Sequence, residues 1–192
     1  MQCLFPNWKV AFDAVRPELL NEHCILLLTH WGSLWQDDNP IVPDRRAIDP
    51  IAFTTALPHV FLIETDPETD RLRYRLAGEE INSRYQNGIV GKYLDDITPA
   101  DALPKVNAYF RTCIERPALV LLKGILFGER AQPGMGERLL LPLRDNKNNR
   151  LGLIGITLQK LSFPDIHTAR SQTPRILHIY PLDGSPAEIM DY

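Results

Sequence analysis

Histidine, cysteine and paired carboxylates are the side chains from which most catalytic and metal sites are built, and in this chain they are dispersed. The densest group is His23, Cys24 and His30. His23 and His30 are seven residues apart, two helical turns or about 10 Å along the axis. One mononuclear ion does not span that comfortably, so no metal site is expected. Glu79-Glu80 and Asp95-Asp96 are adjacent pairs. Neighbours on a helix do not share a face, so neither pair reads as an acid/base dyad. They read as solvated or capping groups. The glycines between Gly128 and Gly136 lack the spacing of a phosphate cradle, and no helix start follows them. Gly32-Ser33-Leu34 and Asn82-Ser83-Arg84 are not nucleophile elbows. No catalytic residue is nominated, and the chain is not expected to be an enzyme.

Composition narrows the class. The 192 residues are 44% hydrophobic and 23% charged, ordinary values for one globular domain with extensions. The net charge of −3 argues against nucleic acid or an anionic membrane as the main partner, since both favour a basic face. The three cysteines Cys3, Cys24 and Cys113 form no CxxC pair and no disulfide framework. They fit reduced thiols. No basic stretch followed by an apolar run opens the chain, so no signal peptide is expected. Apolar runs such as Cys24–Leu28 are far too short to span a bilayer. A cytoplasmic location is expected.

Three parts must position whatever site exists: residues 1–58 as an N-terminal helical extension, 59–159 as an α+β domain, and 160–192 as a loosely attached tail with one short β-like stretch, Arg175–Tyr180. The spacing of Leu20, Cys24, Leu27, Trp31 and Leu34 predicts a helix over about Glu18–Gln36. Ile25, Leu28 and Trp35 form a second stripe beside the first. One stripe can pack on the domain's own sheet and the other needs a different cover. A homodimer interface through Leu20, Cys24, Leu27, Leu28, Trp31 and Trp35 is therefore expected. Asp49-Pro50 predicts a fresh short helix, with Asp as cap and Pro at its first position, ending before Pro58.

The run from His59 to Thr65, the turn Asp66-Pro67-Glu68-Thr69-Asp70 and the alternating Arg71–Leu76 predict a β-hairpin. Leu72, Tyr74 and Leu76 share one face of its second strand. A short helix over Ala77–Asn87 closes on Asn87-Gly88. A longer helix starts at Thr98-Pro99, carries Leu103, Val106, Phe110 and Cys113 on one face, and ends before Pro117. Strands over Ala118–Phe127, Arg138–Leu143 and Leu151–Leu158 complete a five-stranded antiparallel sheet with helices on one face.

This order of two strands, several helices and three strands resembles that of the PAS domain family. Two segments carry the likeness: Tyr74-Arg75-Leu76-Ala77-Gly78-Glu79-Glu80-Ile81 and Gly91-Lys92-Tyr93-Leu94-Asp95-Asp96-Ile97. Trp31 or Trp35, Pro43-Asp44-Arg45-Arg46, Asp49-Pro50 and Leu57-Pro58 are similar to a bacterial PAS subfamily seen mostly in alphaproteobacteria, and Leu141-Pro142-Leu143 to its last hairpin. One departure is Tyr85-Gln86, where relatives often have an aromatic–Gly pair; here glycine waits until Gly88.

The resemblance implies a sensory or regulatory module, standing alone and acting through contacts with a signalling protein partner. No haem or flavin is expected: the long helix holds no histidine, Cys113 lies on its apolar face, and His167 and His178 fall in the tail. The resemblance also implies a cavity edged by Tyr74, Tyr85, Tyr93 and Phe110, whose apolar bodies and polar tips suit a small organic ligand or simply fill the core. An enzyme of unknown reaction and a ligand-free dimerisation or adaptor module are the alternatives.

Overall fold

The computed structural model describes residues 4–36, 38, 40–126, 134–145, 150–160 and 175–192. Cys3, the turn residues 146–149, most of the loop before Arg138 and His167 lie outside them. The centre of the fold is a seven-stranded antiparallel sheet. Its strands are β1 (Val60–Thr65), β2 (Leu72–Ala77), β3 (Ala118–Leu126), β4 (Gly134–Asp145), β5 (Arg150–Lys160), β6 (Ile176–Pro181) and β7 (Glu188–Asp191). They run in the order β2-β1-β5-β4-β3-β6-β7.

Five of these strands match the expected sheet; β6 falls on the β-like stretch Arg175–Tyr180 but joins the sheet, and β7 was not expected. Residues 176–191 are not a loose tail. β6 pairs along β3 from Ala118↔Pro181 to Lys123↔Ile176, and β7 pairs with β6. The physical reason is the exposed edge that β3 would otherwise present, a row of unpaired N–H and C=O groups beside a strongly apolar strand. β6 suits the role: Leu177 and Ile179 point to one face, His178 and Tyr180 to the other, and all four are buried.

Helices cover both faces of the sheet. A strand with one wet face alternates, but β3 is buried at every position except Lys123. On one face Leu119, Leu121, Leu139 and Leu141 meet the N-terminal helices α1 (Trp8–Val15) and α2 (Glu22–Ser33) and the 3-10 segment Pro50–His59. On the other, Val120, Leu122 and Leu140 meet α3 (Glu79–Asn82), α4 (Leu94–Ile97) and α5 (Leu103–Glu115). Close approach is required where β5 crosses β1. A Cβ on Gly155 would lie 2.3 Å from the Phe61 ring.

The N-terminal layer differs from the expected single helix. Chain residues 8–15 form α1, whose Trp8 stacks on Trp35 at 4.8 Å and meets Trp31 edge-on at 6.1 Å. Trp31 donates its Nε1–H to the Pro142 carbonyl of β4 at 2.9 Å. Cys24, Leu27, Leu28 and Trp31 are fully buried and Trp35 is 8% exposed. The two stripes are thus covered by the sheet, α1 and Pro50–His59, all within the one chain. Leu20 precedes the N-cap Asn21 and is exposed, while Leu19 turns inward in its place. Of the six residues from which a homodimer was argued, Cys24, Leu27, Leu28, Trp31 and Trp35 are therefore interior and Leu20 is exposed. Asp49 caps the next segment as expected, accepting from Ile51 N–H at 3.0 Å, but that segment continues through Pro58 with a kink at Phe53.

Candidate functional site

α5 owes its position to Pro104 in its first turn and to the spacing of Val106, Tyr109, Phe110 and Cys113, which faces the sheet. Its outer side carries Arg111, bonded to Glu115 one turn on and to Asp70 of the hairpin turn. Between the inner side of α5 and the sheet lies a cavity of about 70 Å³. Apolar walls come from Leu94, Ile97, Val106, Leu122, Ile125 and Leu126. The polar lining residues are Tyr74, Tyr85, Thr98, Tyr109 and Tyr192, with Arg138 and Arg175.

Arg138 is the unusual member. It sits in β4 between Leu122 of β3 and Thr157 of β5, on the cavity face of the sheet. Its Nε donates to Thr157 Oγ1 at 2.9 Å, and an Nη donates to the Tyr109 hydroxyl at 2.6 Å. These two bonds fix the plane of the guanidinium, which lies 5.9 Å from the centre of the Phe110 ring. Burial pushes the Tyr109 hydroxyl above its ordinary pKa, and the Arg138 charge works against that rise. Tyr109 thus stays neutral at physiological pH and can both give and take a hydrogen bond. Tyr192 meets the Tyr109 ring edge-on at 5.5 Å.

Two of the four aromatics expected around this cavity line it, Tyr74 and Tyr85. Phe110 lies behind the wall, fully buried and packed 5.0 Å from Tyr109 and 6.1 Å from Phe61. Tyr93 belongs elsewhere. Its hydroxyl donates to Asp66 Oδ2 at 2.9 Å and its ring lies 3.9 Å under the Arg71 guanidinium. Asp66 is held well below the ordinary carboxylate range, chiefly by the Thr69 N–H, then by Tyr93 and by the Glu68 N–H. That cluster builds the hairpin turn and stays outside the cavity.

Arg138, Tyr109, Arg175 and Tyr192 were not anticipated. For Arg138 a signal existed: in Arg138-Leu139-Leu140-Leu141 the charge shares parity with the core residue Leu140. Arg175 and Tyr192 enter through β6 and β7, the part mistaken for a tail.

The residue before Arg138 points through the opposite face. Glu137 is only 4% exposed. Its carboxylate accepts the backbone N–H of Leu20 at 3.1 Å and of Asn21 at 2.8 Å, at the start of α2. Burial first, and then Glu137, push the nearby Cys24 thiol far above its ordinary value. Lys123 of β3 bonds Glu18 at 2.8 Å on the same side. The N-terminal helices are therefore pinned to the sheet through charged groups beside the cavity strand.

A larger cavity, about 120 Å³, opens near β1 and the β4–β5 end. Several of its charges pair with one another: Arg45 bonds Glu64 and Asp145, and Arg73 bonds Glu64. Among the described residues no group of three or more His, Cys, Asp or Glu is placed to hold a metal ion. No helix among them is long and apolar enough to cross a membrane.

No curated protein and no solved structure matches the chain. A family model described as PAS domain matches residues 21–158, from the cap of α2 nearly to the end of β5. The matched span holds the cavity walls from Tyr74 of β2 to Arg138 of β4 and leaves out α1, β6 and β7. It covers well over half of the sequence, and the chain belongs to the PAS domain family, whose members are sensory and regulatory modules.

Proposed function

We propose that the protein is a sensor in which a small organic ligand, held between the sheet and α5, sets the position of the N-terminal helices and through them the binding of a protein partner. The observation that carries this reading is the dipeptide Glu137-Arg138. Alternation along β4 places Arg138 in the cavity and Glu137 on the backbone N–H groups that open α2. A ligand that shifts the Arg138 guanidinium tilts the same stretch of strand that holds the helix. A ligand can shift such an equilibrium only by its differential affinity for the two arrangements, and a guanidinium lining the cavity is a direct means of supplying it. PAS domains often mediate protein interactions, which fits the output step.

Native mass spectrometry of the purified protein, followed by hydrogen exchange before and after stripping any bound compound, tests the reading. The expected result is a copurifying small molecule whose removal speeds exchange at the Leu20 and Asn21 amides. A second arm fills the cavity with Val106→Trp, which should change the same amides. If no compound is bound and the filled variant exchanges like the parent, the ligand step fails. A ligand-free adaptor is then the better description.

A further inference from the structure

We propose that His23 and His59 form a proton-operated latch, which holds α2 against the segment entering β1 at neutral pH and releases the first turn of α2 in acid. The latch is an input separate from the cavity and stands whether or not a ligand binds there. It acts on α2, the element that the sensor reading makes the output.

Geometry carries the proposal. His23 is the second residue of α2, and its backbone N–H donates to the side chain of the N-cap Asn21 at 2.9 Å. His59 is the last residue of the 3-10 segment Pro50–His59, directly before β1. Both side chains are half-buried, and their rings stack with centres 5.9 Å apart and planes 23° apart. The stack therefore joins the start of α2 to the entry of the sheet.

Nδ1 of His23 is buried and meets no hydrogen-bond partner among the described residues. In a neutral ring that atom can be a bare lone pair, the less costly kind of orphan. A proton on it would become a buried N–H without an acceptor. A charge on the ring would also sit in the first turn of α2, at the positive end of the helix dipole. The surrounding charges do not reverse this. Burial, first, holds His59 below the ordinary histidine value; Glu80 of α3 works against burial, and His23 and Arg84 work with it. The Arg84 Nε donates to the Glu80 carbonyl at 3.0 Å. Glu22, beside His23, is exposed, and Glu137 of β4 is engaged with the Leu20 and Asn21 N–H groups.

Because the folded value of His59 is the lower one, the latch is closed above about pH 6.5 and opens as pH falls below it. Two like charges this close at half-buried positions disfavour the stack by roughly tenfold or more.

Amide protection factors from NMR hydrogen exchange, measured on the full chain at pH 7.5 and 5.5, test the latch. Protection at His23, Cys24 and Ile25 should fall about tenfold in acid and by much less in β5. His59→Gln and His23→Gln each remove one of the two charges and should each abolish most of that fall. His59→Lys sets a fixed cation beside His23 and should show at pH 7.5 the low protection of the parent in acid. If His59→Gln does not fold, His23→Gln and His59→Lys still decide. His30→Gln, on α2 but outside the stack, should leave the fall in place. Equal protection at both pH values overturns the latch, as does a fall that survives in both His59→Gln and His23→Gln. An equal fall in β5 means that acid loosens the whole fold, and a fall abolished by His30→Gln alone assigns the effect to the Asp49 contact; either result overturns the latch too. The cavity reading is untouched by all of these, since its own test is the bound compound.

Discussion

Replacing Glu137 with glutamine tests how the N-terminal helices are held. The carboxylate is 4% exposed and accepts two backbone N–H groups at 2.8 and 3.1 Å. Hydrogen bonds to a charged group contribute about 1.5–3 kcal/mol each, and partly buried ones fall at the low end. Glutamine keeps one carbonyl oxygen and presents an NH₂ where the second acceptor stood. One bond is lost and a donor now faces a donor. The desolvation of the carboxylate is relieved at the same time, which offsets part of the loss. A net destabilisation of about 2 kcal/mol follows. In a chain of this size it lowers Tm by roughly 4–8 °C. Hydrogen exchange at the Leu20 and Asn21 amides should accelerate more than exchange in β5, because the damage is local. A variant that melts with the parent and keeps those amides protected would mean that Trp31, Lys123 and the apolar contacts hold the layer without Glu137. The coupling assigned to Glu137 would then be void.

Three further outcomes are expected. His30 accepts the Asp49 N–H through Nε2 at 3.0 Å, so that nitrogen must be unprotonated; burial holds His30, His59 and His178 below their ordinary values. The unfolded chain therefore binds more protons, and stability is full above about pH 6.5 and falls as pH drops below it; denaturant midpoints equal at pH 7.5 and 5.5 would contradict this. Trp8→Ala removes the ring that covers Trp35 and Trp31 and should cost about 3–5 kcal/mol in chemical denaturation; a cost under about 1 kcal/mol would show that α1 is not part of the cooperative unit. Gly155→Ala places a methyl group 2.3 Å from the buried Phe61 ring and should destabilise by about 1–3 kcal/mol, read from the same melts; an unchanged midpoint would mean that the Phe61 ring moves aside freely.

Much of the architecture was legible because it rests on local rules. Turn chemistry at Asp66–Asp70, the left-handed Gly88 with φ of +61°, and the alternation of Leu72 and Tyr74 all act over a few residues. The site was half legible. Tyr74 and Tyr85 were found from strand parity and family order. Tyr93 was not, because a hydroxyl one turn from the cavity found Asp66 first. Arg138 and Glu137 were missed because a charged pair at a strand end reads as solvent-facing until both faces of the sheet are known to be covered. α1 was missed because its segment was weighed only as a leader, although Trp8, Ala11 and Val15 share a helical face. β6 needed β3 to be read as a strand with an open edge, a contact between residues far apart in sequence that no local pattern announces.

The pairing of β6 with β3 also decides where the chain can be cut. A fragment trimmed to residues 21–158, the span of the family match, would keep the walls of the cavity from Tyr74 of β2 to Arg138 of β4. It would also uncover the β3 edge from Ala118 to Lys123, six residues of which five are apolar, and leave Trp31 and Trp35 without Trp8. A long apolar strand edge is a template for pairing with any other chain that reaches it. Such a fragment would associate edge to edge, and its oligomers would reflect the missing ends more than any property of the sensor. The span of the family match is thus smaller than the unit that covers its own strand edge, and the two ends outside that span are what keep the sheet to itself.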